Sequence, residues 1–176
     1  MTTQRTTIDL KRFLPILALL SVVDAVAFFV FIVADWPVEY SFRSLLTAAI
    51  LVVLVVLAEQ LAIDLPVPHA RITVSVSSAI TFAAVLTLGP ILGILVAILG
   101  TLLDDLIERR EPLKILVNAN NFALQGIIAG PIYFSLAGDG SPLASLRNFF
   151  SMLLAAVVSS SAQTILLALL LSVATG

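Results

Sequence analysis

Between Arg71 and Asp104 the chain carries no charged residue, and Ile72 to Leu103 forms a 32-residue, largely apolar stretch. As one straight helix it would be about 48 Å long, against a hydrocarbon core of about 30 Å. Gly89-Pro90 sits near the midpoint of the stretch. Gly and Pro together favour a tight turn, which would divide the stretch into two short spans at about 74–88 and 91–107. One kinked helix is the alternative.

The rest of the chain repeats the theme. Of its 176 residues 60% are hydrophobic and 11% charged, where a soluble domain carries about 25% charged. Further apolar segments lie at about 13–34, 44–63, 112–136 and 149–173. The expected fold is therefore all-α, a polytopic transmembrane helical bundle of about six spans in a single domain, with no soluble domain. The first apolar run follows Lys11 and Arg12 and is about 22 residues long. That exceeds the 7–15 residues of a signal-peptide core, so it reads as a retained span. Pro66 and Pro68 are expected to stop the second span, and Pro112 suits the first position of the fifth. AGDGSP after Leu136 supplies turn chemistry.

Charge asymmetry favours the turn at Gly89-Pro90. With a hairpin there and a cytoplasmic N-terminus, Arg5, Lys11, Arg12, Arg71, Arg109, Arg110 and Lys114 share the cytoplasmic side, leaving Arg43 and Arg147 outside. Seven against two follows the enrichment of Lys and Arg in cytoplasmic flanks. A single kinked helix would split them nearly evenly. The reading places both termini on the cytoplasmic side. The sequence ends SVATG without a basic anchor. Either the chain stops at the membrane surface or it is the N-terminal membrane part of something longer, and the second is preferred.

Ionisable groups inside spans are costly and default to functional candidates. Asp24, near the middle of the first span, costs about 2.5–3.5 kcal/mol, which its apolar neighbours outweigh. It and Glu59 are candidate ligand-binding residues, one or both lining a polar cavity or binding a cation. The plainer alternative has Asp24 protonated or bonded to another helix, and Glu59 reaching interfacial water. Asn118, Asn121 and Gln125 recur at i, i+3 and i+7 and so share one face of the fifth span. They form the main candidate ligand-binding row, with helix-to-helix hydrogen bonding as the plainer reading. Asn120 points off that row and is expected near the headgroups. Ser160 and Gln163 are secondary candidates in a polar cluster of the sixth span. Gly89, Gly93, Ala97 and Gly100, and Gly126 with Gly130, are spaced to let backbones approach closely and read as intramolecular packing seams. Asp104, Asp105, Glu108, Arg109, Arg110 and Glu111 read as a solvated, mixed-charge cytoplasmic turn.

Several classes are excluded on inventory. The nine basic residues form no stripe that would neutralise phosphates, so nucleic acid is not an expected partner. With no Cys and only His69, expected in a Pro-bounded loop, there is no nucleophile–base pair and no Cys- or His-based metal cluster. No catalytic residue, metal or cofactor is assigned.

The segments TVSVSSAITFAAVLTLGPILGILVAILGTLLDDL and LVNANNFALQGIIAGPIYF resemble the vitamin-uptake-like sensor membrane domain of bacterial signalling proteins. The features that match are Ser75, Ser77 and Ser78, the LGPILG turn at Leu88 to Gly93, and the Asn-bearing span at Asn118 to Asn121. The resemblance implies a fold similar to the S components of energy-coupling-factor transporters. It also implies a sensory or anchoring module of a bacterial inner membrane that binds a small molecule between helices and signals to a cytoplasmic partner. No GGDEF-like or HD-like output sequence follows. A vitamin-capturing transport subunit is the second class. For that class the resemblance implies an Ala-x-x-x-Ala docking patch on the first helix, and the first span has none. Ala58 and Ala62 form such a pair on the second span instead. A structural subunit of a membrane complex is the third class.

Overall fold

The computed structural model describes residues 10–33, 40–67, 70–137 and 141–175. Five helices and one small β-hairpin follow in the order α1 (Leu10–Val33), α2 (Phe42–Gln60), β1 (Ile63–Val67), β2 (Ala70–Val74), α3 (Ser77–Ile107), α4 (Pro112–Leu136) and α5 (Leu146–Thr175). All five helices are long and apolar enough to cross a membrane. The fold is thus almost entirely helical. Among the described residues five helices meet this criterion, not six, because the expected third and fourth spans belong to one element.

That element is not straight. Gly89 has φ 83° and ψ 167°, non-helical values in the region that favours glycine. A Cβ on Gly93 would lie 2.5 Å from Val85 Cα, although eight residues of continuous helix span about 12 Å. Farther out, Ser77 hydrogen-bonds Glu59 while Asp104 hydrogen-bonds the adjacent Gln60. In an unbroken helix Ser77 and Asp104 would stand about 40 Å apart. The backbone therefore reverses at Gly89, and the arms, 77–88 and 91–107, lie side by side.

This folded α3 is the centre of the molecule. Some 56% of its most apolar window is buried, against 11% for α1 and for α2. Val55 of α2 packs between Ala84 and Val96, one from each arm. Opposite, Val85 packs with Ala129 and Tyr133 of α4 and Ala155 of α5, and Phe31 of α1 joins Ile91, Ile94 and Ala123. The glycine seams are intramolecular. Gly100 faces Val55, Gly126 faces Ile94, and Gly130 faces Pro90. Outward, Leu19, Val26, Phe29, Ile50, Leu57, Val157 and Leu169 are all at least half exposed. So much outward apolar surface suits lipid and not water.

Helix limits follow local chemistry. Ser41 caps α2 by accepting the Ser44 amide at 3.1 Å, so the helix starts at Phe42 rather than Ser44. It ends at Gln60 rather than Ile63, before either proline. Pro66 stands instead in β1, opposite Arg71 of the antiparallel β2, and Pro68 and His69 lie outside the described residues. This antiparallel strand pair occupies most of the connection expected between the second and third spans. It suits Ile63, Val67, Ile72, Thr73 and Val74, whose β-branched side chains favour extended backbone. Residues 70–74, charge-free after Arg71, are thus strand, and α3 begins only at Ser77. At the other end of α3, Arg109 takes φ 52°. The Arg110 amide reaches back to Asp105 O at 2.9 Å and the Arg109 amide to Leu106 O at 3.2 Å. This is a Schellman motif with arginine in the left-handed position usually held by glycine.

Candidate functional site

The reversal at Gly89 brings both ends of α3 to the end of the bundle where α2 stops and α4 starts. A polar cavity of about 710 Å³ opens there, walled by Glu59 of α2, Ser77, Ser78, Thr101 and Asp104 of α3, and Lys114 and Asn118 of α4, with Glu108 and Arg110 from the connecting turn. Three acids, Glu59, Asp104 and Glu108, face two bases, Arg110 and Lys114.

The turn expected to be a solvated charged face is instead partly buried and closely hydrogen-bonded. Asp104 and Asp105 are both fully buried. The Schellman turn folds Arg110 back over them, with Nη1 donating to Asp105 Oδ1 at 2.8 Å. Arg110 Nη2 lies 3.4 Å from Asp104 Oδ2, an ionic contact that leaves this oxygen without a hydrogen bond. Arg110 Nε also donates to Glu108 at 2.6 Å. Gln60 donates to Asp104 Oδ1 at 2.6 Å, and Asn118 Nδ2 to both Asp105 oxygens at 3.1 and 3.2 Å. Burial draws the Arg110 guanidinium downward, but the hydrogen bond to Glu108 and the charges of Asp105, Glu108 and Asp104 outweigh it and hold it above its ordinary value. One permanently charged guanidinium thus neutralises part of a buried acidic pair. The readable signal for this in the sequence was Asp-Asp at the end of an apolar run with Arg five residues on.

The predicted amide row does not converge on one ligand. Asn118 lines the polar cavity while holding Asp105. Gln125, buried a turn and more further in, accepts from Thr81 Oγ1 at 2.7 Å and donates to Ser78 O at 3.2 Å, tying α4 to the first arm of α3. Asn121 uses its backbone carbonyl to accept from Gln163 of α5 at 2.8 Å, and its own Oδ1 is buried without a hydrogen bond. The three share a helix face, but at different depths that face meets different helices. Ser160 is exposed on α5 and does not line the polar cavity. Glu59 accepts from the Ser77 hydroxyl and reaches the polar cavity.

Asp24 lies in a separate cavity of about 280 Å³ between α1, α3 and α4, alongside Ser21 and Asn120. Asn120 is buried rather than placed near the headgroups, donating to Ser21 Oγ at 3.1 Å and to Leu116 O at 2.7 Å. Its position off the amide row aims it at α1, a neighbour that the pattern within one helix does not reveal.

A scan against family models, a search of curated proteins and a search of solved structures each returned no match.

Proposed function

We propose that this chain is a membrane-embedded sensory or anchoring module of a bacterial cytoplasmic membrane that binds a small polar molecule in the cavity at the basic end of the bundle. The carrying observation is that cavity, since a polar recess of about 710 Å³ falls within the usual size of a small-molecule site, about 300–1,000 Å³. The chain makes six membrane passes, with α3 supplying two. Arg71, Arg109, Arg110 and Lys114 then flank one surface, and Arg43 and Arg147 the other. By the bias of basic residues towards the cytoplasm, the cavity opens inward and both termini are cytoplasmic. Gln163 ties α5 to Asn121, about one turn from Asn118. A ligand that prefers one position of α4 therefore biases α5 and whatever α5 contacts. The vitamin-uptake reading is the weaker one here, because Ala58 of the Ala58/Ala62 pair is 7% exposed and turned inward, whereas a docking patch must face a partner.

Two experiments test this reading. The chain has no cysteine, so single cysteines at exposed Val76 and Glu111 should label from one side of the membrane, and those at Tyr40 and Leu143 from the other. Labelling of Val76 and Glu111 from opposite sides refutes the topology. Native mass spectrometry from nanodiscs should show a bound small molecule that disappears in Lys114→Glu and Thr101→Phe. Persistence of the mass in both variants, or an empty protein in every preparation, refutes the ligand site and favours a structural subunit.

A further inference from the structure

The second cavity has a different chemistry. Both carboxylate oxygens of Asp24 are buried and without a hydrogen bond among the described residues, and the residue is only 9% exposed. An uncompensated buried carboxylate is costly. The other polar atoms in the wall do not relieve it. Ser21 spends its hydroxyl proton on Leu17 O at 3.0 Å. Asn120 spends its amide protons on Leu116 O and Ser21 Oγ, leaving its Oδ1 as an acceptor. What this recess still offers is therefore hydrogen-bond acceptors, one of them an acid. Around them the walls are apolar, with Phe28, Ile94 and Leu116 among them.

We propose that this recess is a second binding site, separate from the polar cavity, for a small organic ammonium ion: a protonated primary or secondary amine on a short hydrocarbon body. The ammonium group brings only donors and a positive charge, matching Asp24 and Asn120 Oδ1. The hydrocarbon body occupies the apolar remainder, where Phe28 offers a ring to the cation. An inorganic cation matches less well, because it would need several more oxygens than these walls present. A volume of about 280 Å³ lies at the small end of ligand sites and limits the body to about one ring or a short chain.

The test uses the 176-residue chain in nanodiscs, with empty nanodiscs as the blank for partitioning. Phenethylammonium chloride and the neutral 2-phenylethanol are compared by saturation-transfer NMR and thermal unfolding. Phenethylammonium should bind saturably and raise the unfolding temperature, whereas 2-phenylethanol should do neither. Asp24→Asn, nearly isosteric but neutral, should weaken the amine at least about 30-fold, the lower range for losing one partner of a buried charge pair. Ala119→Phe, which fills the recess and leaves Asp24 in place, should abolish binding even if Asp24→Asn does not fold. Equal binding of alcohol and amine, undiminished binding to either folded variant, or no saturable phenethylammonium binding overturns the proposal.

Discussion

Replacing Gly93 with alanine adds one methyl group at the tightest point of α3. The new Cβ would lie 2.5 Å from Val85 Cα and 2.6 Å from Val85 N, where ordinary contact begins at about 3.4 Å. Both obstacles are backbone, so no side chain can rotate away, and the two arms must part by about 0.9 Å. Separating them also disturbs Val85 against Ala129 and Tyr133. Overpacking of this kind costs about 1–3 kcal/mol. In a continuous helix the same substitution has the opposite sign, because alanine favours an interior helical position over glycine by about 0.8–1.0 kcal/mol. Unfolding by sodium dodecyl sulfate in mixed micelles, followed by circular dichroism, reads this difference. A Gly93→Ala protein at least 1 kcal/mol less stable is the expected result. A variant as stable as the parent, or more so, would refute the back-to-back arrangement of the arms.

Three further substitutions probe the same architecture with the same assay. Gly100→Ala meets Val55 Cγ1 at 2.6 Å and should cost about 1–3 kcal/mol; because that obstacle is a side chain, Val55→Ala in the same protein should recover part of the loss, giving a coupling energy in a double-mutant cycle. Arg109→Gly relieves the left-handed backbone at φ 52° and should stabilise by about 1 kcal/mol, and a destabilised variant would show that the Arg109 side chain matters more than its backbone. Arg110→Met strips the buried Asp104 and Asp105 of their cation and should destabilise by about 2–4 kcal/mol, below the full cost of breaking a buried pair because the Arg110 side chain is 29% exposed; adding Asp105→Asn should return part of it.

How much could be read in advance depended on whether a feature is local. Helix α4 was legible to the residue, because Pro112 marks its start and turn residues follow Leu136. The chain reversal at Gly89 was legible from three signals together: 32 uncharged residues exceed the bilayer, Gly89-Pro90 sits at their midpoint, and the basic residues divide seven to two only with a turn there. Strands β1 and β2 were missed because their residues blend into the apolar runs on either side, and prolines there read as helix stops. The candidate sites were legible one residue at a time but not as groups. Asp24, Glu59 and Asn118 do line cavities. Asn120, off that row, shares a recess with Asp24, a grouping hidden in the sequence because its partner Ser21 is 99 positions away. Asp104 and Asp105 looked solvated for the same reason. Their burial comes from Gln60 and Asn118, and sequence proximity records only Arg110.

The unequal lengths of the two arms of α3 bear on how such a chain sits in lipid. The first arm, 77–88, is only about 18 Å long and the second, 91–107, about 26 Å, so the two passes proposed for α3 require a hydrocarbon layer of about 30 Å to thin around the bend. Exposed peptide groups at that depth would be expensive, and Gly89, Pro90, Ile91 and Leu92 are all buried by neighbouring helices. Because the arms descend and return together, the depth of the bend leaves the sidedness of every later loop unchanged. On the proposed topology, membrane thickness around α3 therefore does not decide the side of any loop that follows it.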